Sequence, residues 1–179
     1  MIISHARADG FMKIGIVYYS RTGNTRQVAK TLEEKLKEKN AEVDLIEIKH
    51  VKRPGFLTAG KTATKQLELP IKNTDFNMGK YDVILAGSPT WNKRPSPFII
   101  TFINKAQNMK GKKIAIFGTG MSPINIRDQF KEIIKNNLEK AGLKTFDSFL
   151  ALQFTRGKLV DGEQNIDNFV NTVLKMKNE

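Results

Sequence analysis

Cysteine is absent from the 179 residues, so no disulfide can form and no thiol nucleophile is available. That absence is compatible with any compartment. Long apolar runs are missing too, and none approaches the roughly 18 residues that a membrane-spanning helix needs. The leading segment 1–11 holds only a short apolar pair and no cleavage-like signal. We read it as a disordered leader, an upstream start or a remnant of cloning, with Met12 the natural beginning and 12–179 a single domain. The expected location is the cytoplasm. Acid is scarce as well: the formal net charge is +12. Between Asp82 and Asp128 no acidic residue occurs, while Lys93, Arg94, Lys105, Lys110, Lys112, Lys113 and Arg127 all fall there. Such a charge raises nucleic acid or an acidic surface as partners. The basic residues are spread over many elements and form no nucleic-acid-binding motif, which disfavours nucleic acid.

What is present begins at Lys13. Ile14, Gly15, Ile16, Val17, Tyr18 and Tyr19 make a short apolar run of the kind buried on both faces of a parallel sheet. Ser20, Arg21, Thr22, Gly23, Asn24 and Thr25 follow, and from Gln27 the apolar residues take helical spacing at Val28, Leu32 and Leu36. A hydroxyl-rich turn therefore joins a strand's carboxyl end to a helix's amino end. Free N–H groups, the positive end of the helix dipole and three hydroxyls favour a bound anion there. The alternative is that Thr22 or Asn24 simply caps the helix. The turn lacks the lysine of a P-loop and the three glycines of a dinucleotide fingerprint.

Farther along, Glu42–Ile48 reads as a second strand. Segment 49–77 loses regular patterning, with one short helix expected near Thr58–Gln66, and its cations meet no acid before Glu68. It is either a solvated surface loop or a lid or partner surface beside the site. Tyr81–Gly87 is the third strand, followed by Gly87, Ser88, Pro89, Thr90, Trp91 and Asn92 as a loop and a helix starting near Pro95 or Ser96. Lys112–Phe117 is the fourth, closed by Gly118, Thr119, Gly120, Met121, Ser122 and Pro123. A helix through Ile126, Phe130, Ile133, Ile134 and Leu138, a fifth strand over Lys144–Phe154 and a last helix striped by Ile166, Phe169, Val170 and Val173 complete the chain. Strands alternating with helices imply a doubly wound parallel α/β sheet, whose ligands bind at the strands' carboxyl ends. The loops after strands one, three and four are the unusual ones. A phosphoacceptor receiver would need aspartate at the end of strand three, where Gly87 and Ser88 stand.

The Ser20–Thr25 turn resembles the phosphate loop of the flavodoxins, a hydroxyl-x-Thr-Gly-Asn-Thr turn after the first strand. The resemblance covers nearly the whole chain from Met12, in the short-chain form. It implies a five-stranded parallel sheet of order 2-1-3-4-5 with helices on both faces, and FMN as a non-covalent cofactor. It gives Ser20, Arg21, Thr22, Gly23, Asn24 and Thr25 the phosphate. It gives the isoalloxazine ring to Pro89, Thr90, Trp91, Asn92 and Lys93 on one side and Gly118, Thr119, Gly120 and Met121 on the other. Trp91 either stacks on the ring or covers the edge of the core. No catalytic acid or base and no metal site is assigned. The resemblance implies an electron-transferring flavoprotein with a redox partner protein, or alternatively an FMN-dependent NAD(P)H:quinone-type oxidoreductase with a small acceptor. A basic non-redox binding module is the remote alternative. Lys93 and Arg94, unopposed by acid, either make the flavin less reducing or point into solvent and only keep the protein soluble.

Overall fold

The computed structural model describes residues 10–122, 127–143, 148–160 and 162–176. Nearly all of the leader, Pro123, Ile126 and the first residues expected of the fifth strand fall outside the described residues. The elements in chain order are β1 (Lys13–Tyr18), α1 (Asn24–Glu38), β2 (Glu42–Glu47), α2 (Phe56–Thr64), β3 (Val83–Trp91) and β4 (Arg94–Pro95). Then come α3 (Pro97–Lys105), β5 (Lys113–Gly120), α4 (Asp128–Lys140), β6 (Ser148–Thr155), β7 (Lys158–Leu159) and α5 (Glu163–Lys175).

Five long strands run parallel in the order β2-β1-β3-β5-β6, the doubly wound arrangement that the sequence implies. Each central strand is apolar on both faces, so alternate residues feed two cores. Val17, Tyr19, Ile84, Ala86, Ile114 and Ile116 pack with Phe98 and Phe102 of α3 and Phe130 and Ile134 of α4. On the opposite face Ile14, Ile16, Val83, Leu85, Ala115 and Phe117 pack with Leu32 and Leu36 of α1 and Phe169 and Val173 of α5. None of the described helices is long and apolar enough to cross a membrane.

Two features depart from the expected outline. β3 continues past Gly87 to Trp91 and β5 past Phe117 to Gly120, because the ladder persists through Ser88↔Gly118 and Pro89↔Thr119 after the apolar run has ended. Backbone pairing needs no apolar side chain, so the hydrophobic pattern marks the buried part of a strand rather than its end. In addition, two-residue strands β4 and β7 fold back antiparallel on β3 and β6. At the first reversal Asn92 and Lys93 both take positive φ, 48° and 64°, the backbone of a tight two-residue hairpin. The stretch expected to be a loop from Ser88 to Asn92 is therefore strand and hairpin.

Segment 49–77 is anchored rather than free. His50 bridges Ile71, Val51 N–H donates to the Pro70 carbonyl, and the Thr101 hydroxyl on α3 donates to the Leu69 carbonyl. Ile71, Phe76 and Met78 are buried in the α3 side core. The expected short helix is α2, two residues earlier than its pattern suggests.

Candidate functional site

The turn after β1 is shaped by Ser20, whose hydroxyl accepts from the N–H groups of Gly23 and Arg26, both at 3.2 Å. Ser20 is thus the residue that satisfies the start of α1, in place of the Thr22 or Asn24 cap that the sequence also allows. Gly23 sits at φ 100°, a conformation that a side chain would strain, and space beside it is open. Among the described residues the N–H groups of Asn24 and Thr25 have no partner, so two first-turn donors and the helix dipole point outward. Thr22 is exposed and Asn24 half-buried beside them. Such a set suits a phosphate monoester.

Thr25 is 1% exposed, and its hydroxyl meets that of Thr119 at 2.8 Å. Because each hydroxyl carries one proton, one donates within the pair and the other proton remains for a further acceptor. This bond ties the turn after β1 to the end of β5 across 94 residues.

The ends of β3 and β5 are held together from below by Arg127. The residue is 2% exposed. Nη1 donates to the Thr90 hydroxyl at 3.2 Å, and Nη2 to the carbonyls of Ser122 at 3.3 Å and Leu152 at 2.9 Å. Gly118 and Gly120 make room for it: a Cβ at Gly120 would lie 3.1 Å from Nη2 and 3.0 Å from the Thr90 Cβ, and one at Gly118 3.4 Å from Nη1. Burial lowers the Arg127 pKa to about 10, so the group stays charged at neutral pH. No sequence signal marks Arg127 as part of the site, since one arginine before a helix reads as a solvated cation.

Trp91 is 9% exposed. It packs edge-on against Tyr19 and Phe98, with ring centroids at 5.8 and 6.2 Å, and lies 5.6 Å from the Arg21 guanidinium. Desolvation raises the pKa of Tyr19 in this cluster. Trp91 therefore belongs to the aromatic lining between β1, β3 and α3, at the edge of the core. Asn92 and Lys93 stand exposed at the hairpin tip, Pro89 and Thr90 are half-buried, and Met121 is 81% exposed on the rim.

α2 spans between the two halves. At its start Arg21 donates to the Pro54 carbonyl at 2.8 Å and stacks over Phe56 at 4.2 Å, while Arg53 donates to the Arg21 carbonyl at 2.9 Å. At its end the Thr64 hydroxyl accepts from Asn92 Nδ2 at 2.9 Å. The irregular segment thus forms a wall from the β1 turn to the β3–β4 hairpin. On the other side of that turn a cleft of about 500 Å³ is lined by Arg21, Arg26, Lys49, His50, Arg53 and Lys72. Its one carboxylate, Glu47, is engaged by Arg26.

Four likenesses accompany this geometry. The family model described as NADPH-dependent FMN reductase matches residues 12–138. A flavodoxin from Maridesulfovibrio salexigens is 28% identical over 160 residues, covering 87% of this chain and 90% of the relative. Among solved structures, a flavoprotein in complex with FMN from Lactobacillus acidophilus superposes with a TM-score of 0.63 at 23% identity, over 78% of this chain and 93% of that one. Oxidised flavodoxin 2 from Bacillus cereus does so with a TM-score of 0.60 at 22% identity, over 91% and 98%. At these identities the structural likenesses speak to the fold.

Proposed function

The chain belongs to the NADPH-dependent FMN reductase family and is an FMN-binding, flavodoxin-like redox protein, and we propose that it works as an enzyme, taking electrons from NAD(P)H and passing them to a small acceptor such as a quinone. The observation that supports the reading is the Thr25–Thr119 bond, which joins the turn after β1 to the end of β5 at the sheet's switch point. In this proposal 12–179 is one cytoplasmic domain. Ser20–Thr25 hold the phosphate, and the ring lies between Pro89–Lys93 and Gly118–Met121. The unpartnered N–H groups of Asn24 and Thr25 and the open face of Gly23 fit a phosphate monoester. Bound FMN supplies the redox chemistry, and the protein supplies binding, orientation and electrostatics.

Two observations favour an enzyme over a carrier that only docks on a partner protein. α2 walls the site, as a substrate pocket requires and an exposed flavin edge does not. The cationic cleft beside the phosphate turn suits the phosphate groups of a nicotinamide dinucleotide. Anaerobic mixing of the FMN-loaded protein with NADPH and with NADH tests the proposal. Bleaching of the flavin by NADPH, with turnover when a quinone is added, is expected, and Lys49→Glu with Lys72→Glu should raise KM for NADPH more than for NADH. A bound flavin that neither nucleotide reduces would make the protein a carrier.

A further inference from the structure

Among the described residues, Arg127 is a buried cation with no buried anion beside it. Among the described residues its hydrogen bonds go to one hydroxyl and two carbonyls, none to a carboxylate, and its Nε has no partner. The adjacent Asp128 side chain is 90% exposed and turned toward Lys131. Placing a guanidinium in such surroundings is costly unless a charge of opposite sign is near. A purely mechanical tie between β3, β5 and β6 would be made as well by neutral side chains. The position of the group is informative too: it is one hydrogen bond from Thr90 and one from Ser122, on the two segments that flank the proposed ring site.

We infer that Arg127 is the internal counter-charge for the reduced flavin, holding the anionic reduced form more tightly than the neutral oxidised one and so making the bound flavin less reducing. The inference rests on the FMN reading of the site. The charge balance follows from the reaction: two electrons and one proton passing from a nicotinamide donor to a neutral ring leave one net negative charge on it, and the donor leaves oxidised. A fixed positive charge in a water-poor site interacts with that new charge far more strongly than an exposed one does. Lys93 on the hairpin tip is exposed and screened, and Arg94, half-buried on β4, turns its Nη1 to the Asn92 carbonyl at 3.4 Å. This places the tuning charge that the acid-free stretch suggests beneath the strands rather than at the tip.

The test compares the affinities of oxidised and reduced FMN for wild type, Arg127→Met and Arg127→Lys. By linkage, the ratio of the two affinities sets the shift of the two-electron potential on binding. Methionine keeps the apolar stem and removes the charge; lysine keeps the charge and loses the fork. In Arg127→Met the preference for reduced FMN should fall by roughly tenfold or more, each tenfold being about 29.6 mV more negative in potential. In Arg127→Lys both affinities should drop while their ratio stays within about threefold of wild type. Equal losses for both flavin forms in Arg127→Met would make the arginine a mechanical tie and overturn the inference. Failure of wild type to bind either form would instead overturn the FMN reading beneath it. Should Arg127→Met not fold, the pH dependence of the wild-type potential decides. An anionic reduced flavin takes up one proton per two electrons, so the potential should fall by about 29.6 mV per pH unit from mildly acidic to mildly basic pH. A two-proton slope across that range would mean a neutral reduced flavin and would contradict the proposed role.

Discussion

The two halves of the proposed site are built in opposite ways. The phosphate half is six consecutive residues on one turn, stabilised by its own Ser20 and by the helix it starts. The ring half is assembled from separate segments, with Thr90 on β3, Gly118 to Ser122 at the end of β5 and Leu152 on β6 meeting at Arg127. A contiguous turn carries its function in local backbone chemistry, whereas an assembled one carries it in packing. Changes in the first half, apart from Thr25 whose hydroxyl meets Thr119, should therefore alter binding and leave stability alone, and changes in the second should do both.

Trp91→Ala breaks the comparison most severely. Trp91 packs into the Tyr19 and Phe98 cluster, and removing such a side chain typically costs about 3–5 kcal/mol of stability. Chemical denaturation of the apoprotein checks this. A variant as stable as wild type that no longer binds FMN would place the indole on the flavin instead of in the core.

Thr22→Val is the converse. Thr22 is exposed and makes no described contact, so the melting temperature should be unchanged while FMN binding weakens by about 1.5–3 kcal/mol, the worth of one hydrogen bond to a charged group. Calorimetric titration reads the affinity directly. Thr25→Val lies between the halves. It strands the Thr119 hydroxyl in a buried site, at about 1–3 kcal/mol of stability. Pairing it with Thr119→Val should recover part of that loss, and a double-mutant cycle with no coupling would deny that the bond joins the halves.

The smallest effect expected is from Lys93→Glu with Arg94→Glu. Lys93 sits at the exposed hairpin tip and Arg94 starts β4 beside it, so the flavin potential should shift less than in Arg127→Met and the shift should vanish at high salt. A larger, salt-insensitive shift would return the tuning role to the tip.

The same contrast explains what could be read from the chain. The parallel, doubly wound sheet follows from local signals, apolar runs alternating with helical spacing, and its strand order from the resemblance that the six polar residues of the Ser20 to Thr25 turn carry. The extension of β3 to Trp91 escaped because Ser88 and Pro89 pair with β5, and Thr90 and Trp91 with β4, beyond the end of the apolar run. The hairpin escaped because Asn92 and Lys93 are not a strong turn pair. Arg127 escaped because its meaning lies in contacts up to 37 residues away in the chain. Gly118 and Gly120 were legible as unusual, but the reason for them, room for a guanidinium, belongs to the fold. α2 was visible as a helix, and its role as a wall depends on Arg21 and Asn92, which lie far from it in sequence.

The central claim is that a phosphate-holding turn and a ring-holding pair of strand ends act together on FMN. Titrating the apoprotein in parallel with FMN and with riboflavin, which lacks the phosphate, tests it most directly. Two or more charge-assisted bonds at the turn are worth about 3–6 kcal/mol together, so FMN should bind roughly 10²- to 10⁴-fold more tightly than riboflavin. Equal affinity for the two would contradict the account, because the turn from Ser20 to Thr25 would then contribute nothing to holding the cofactor.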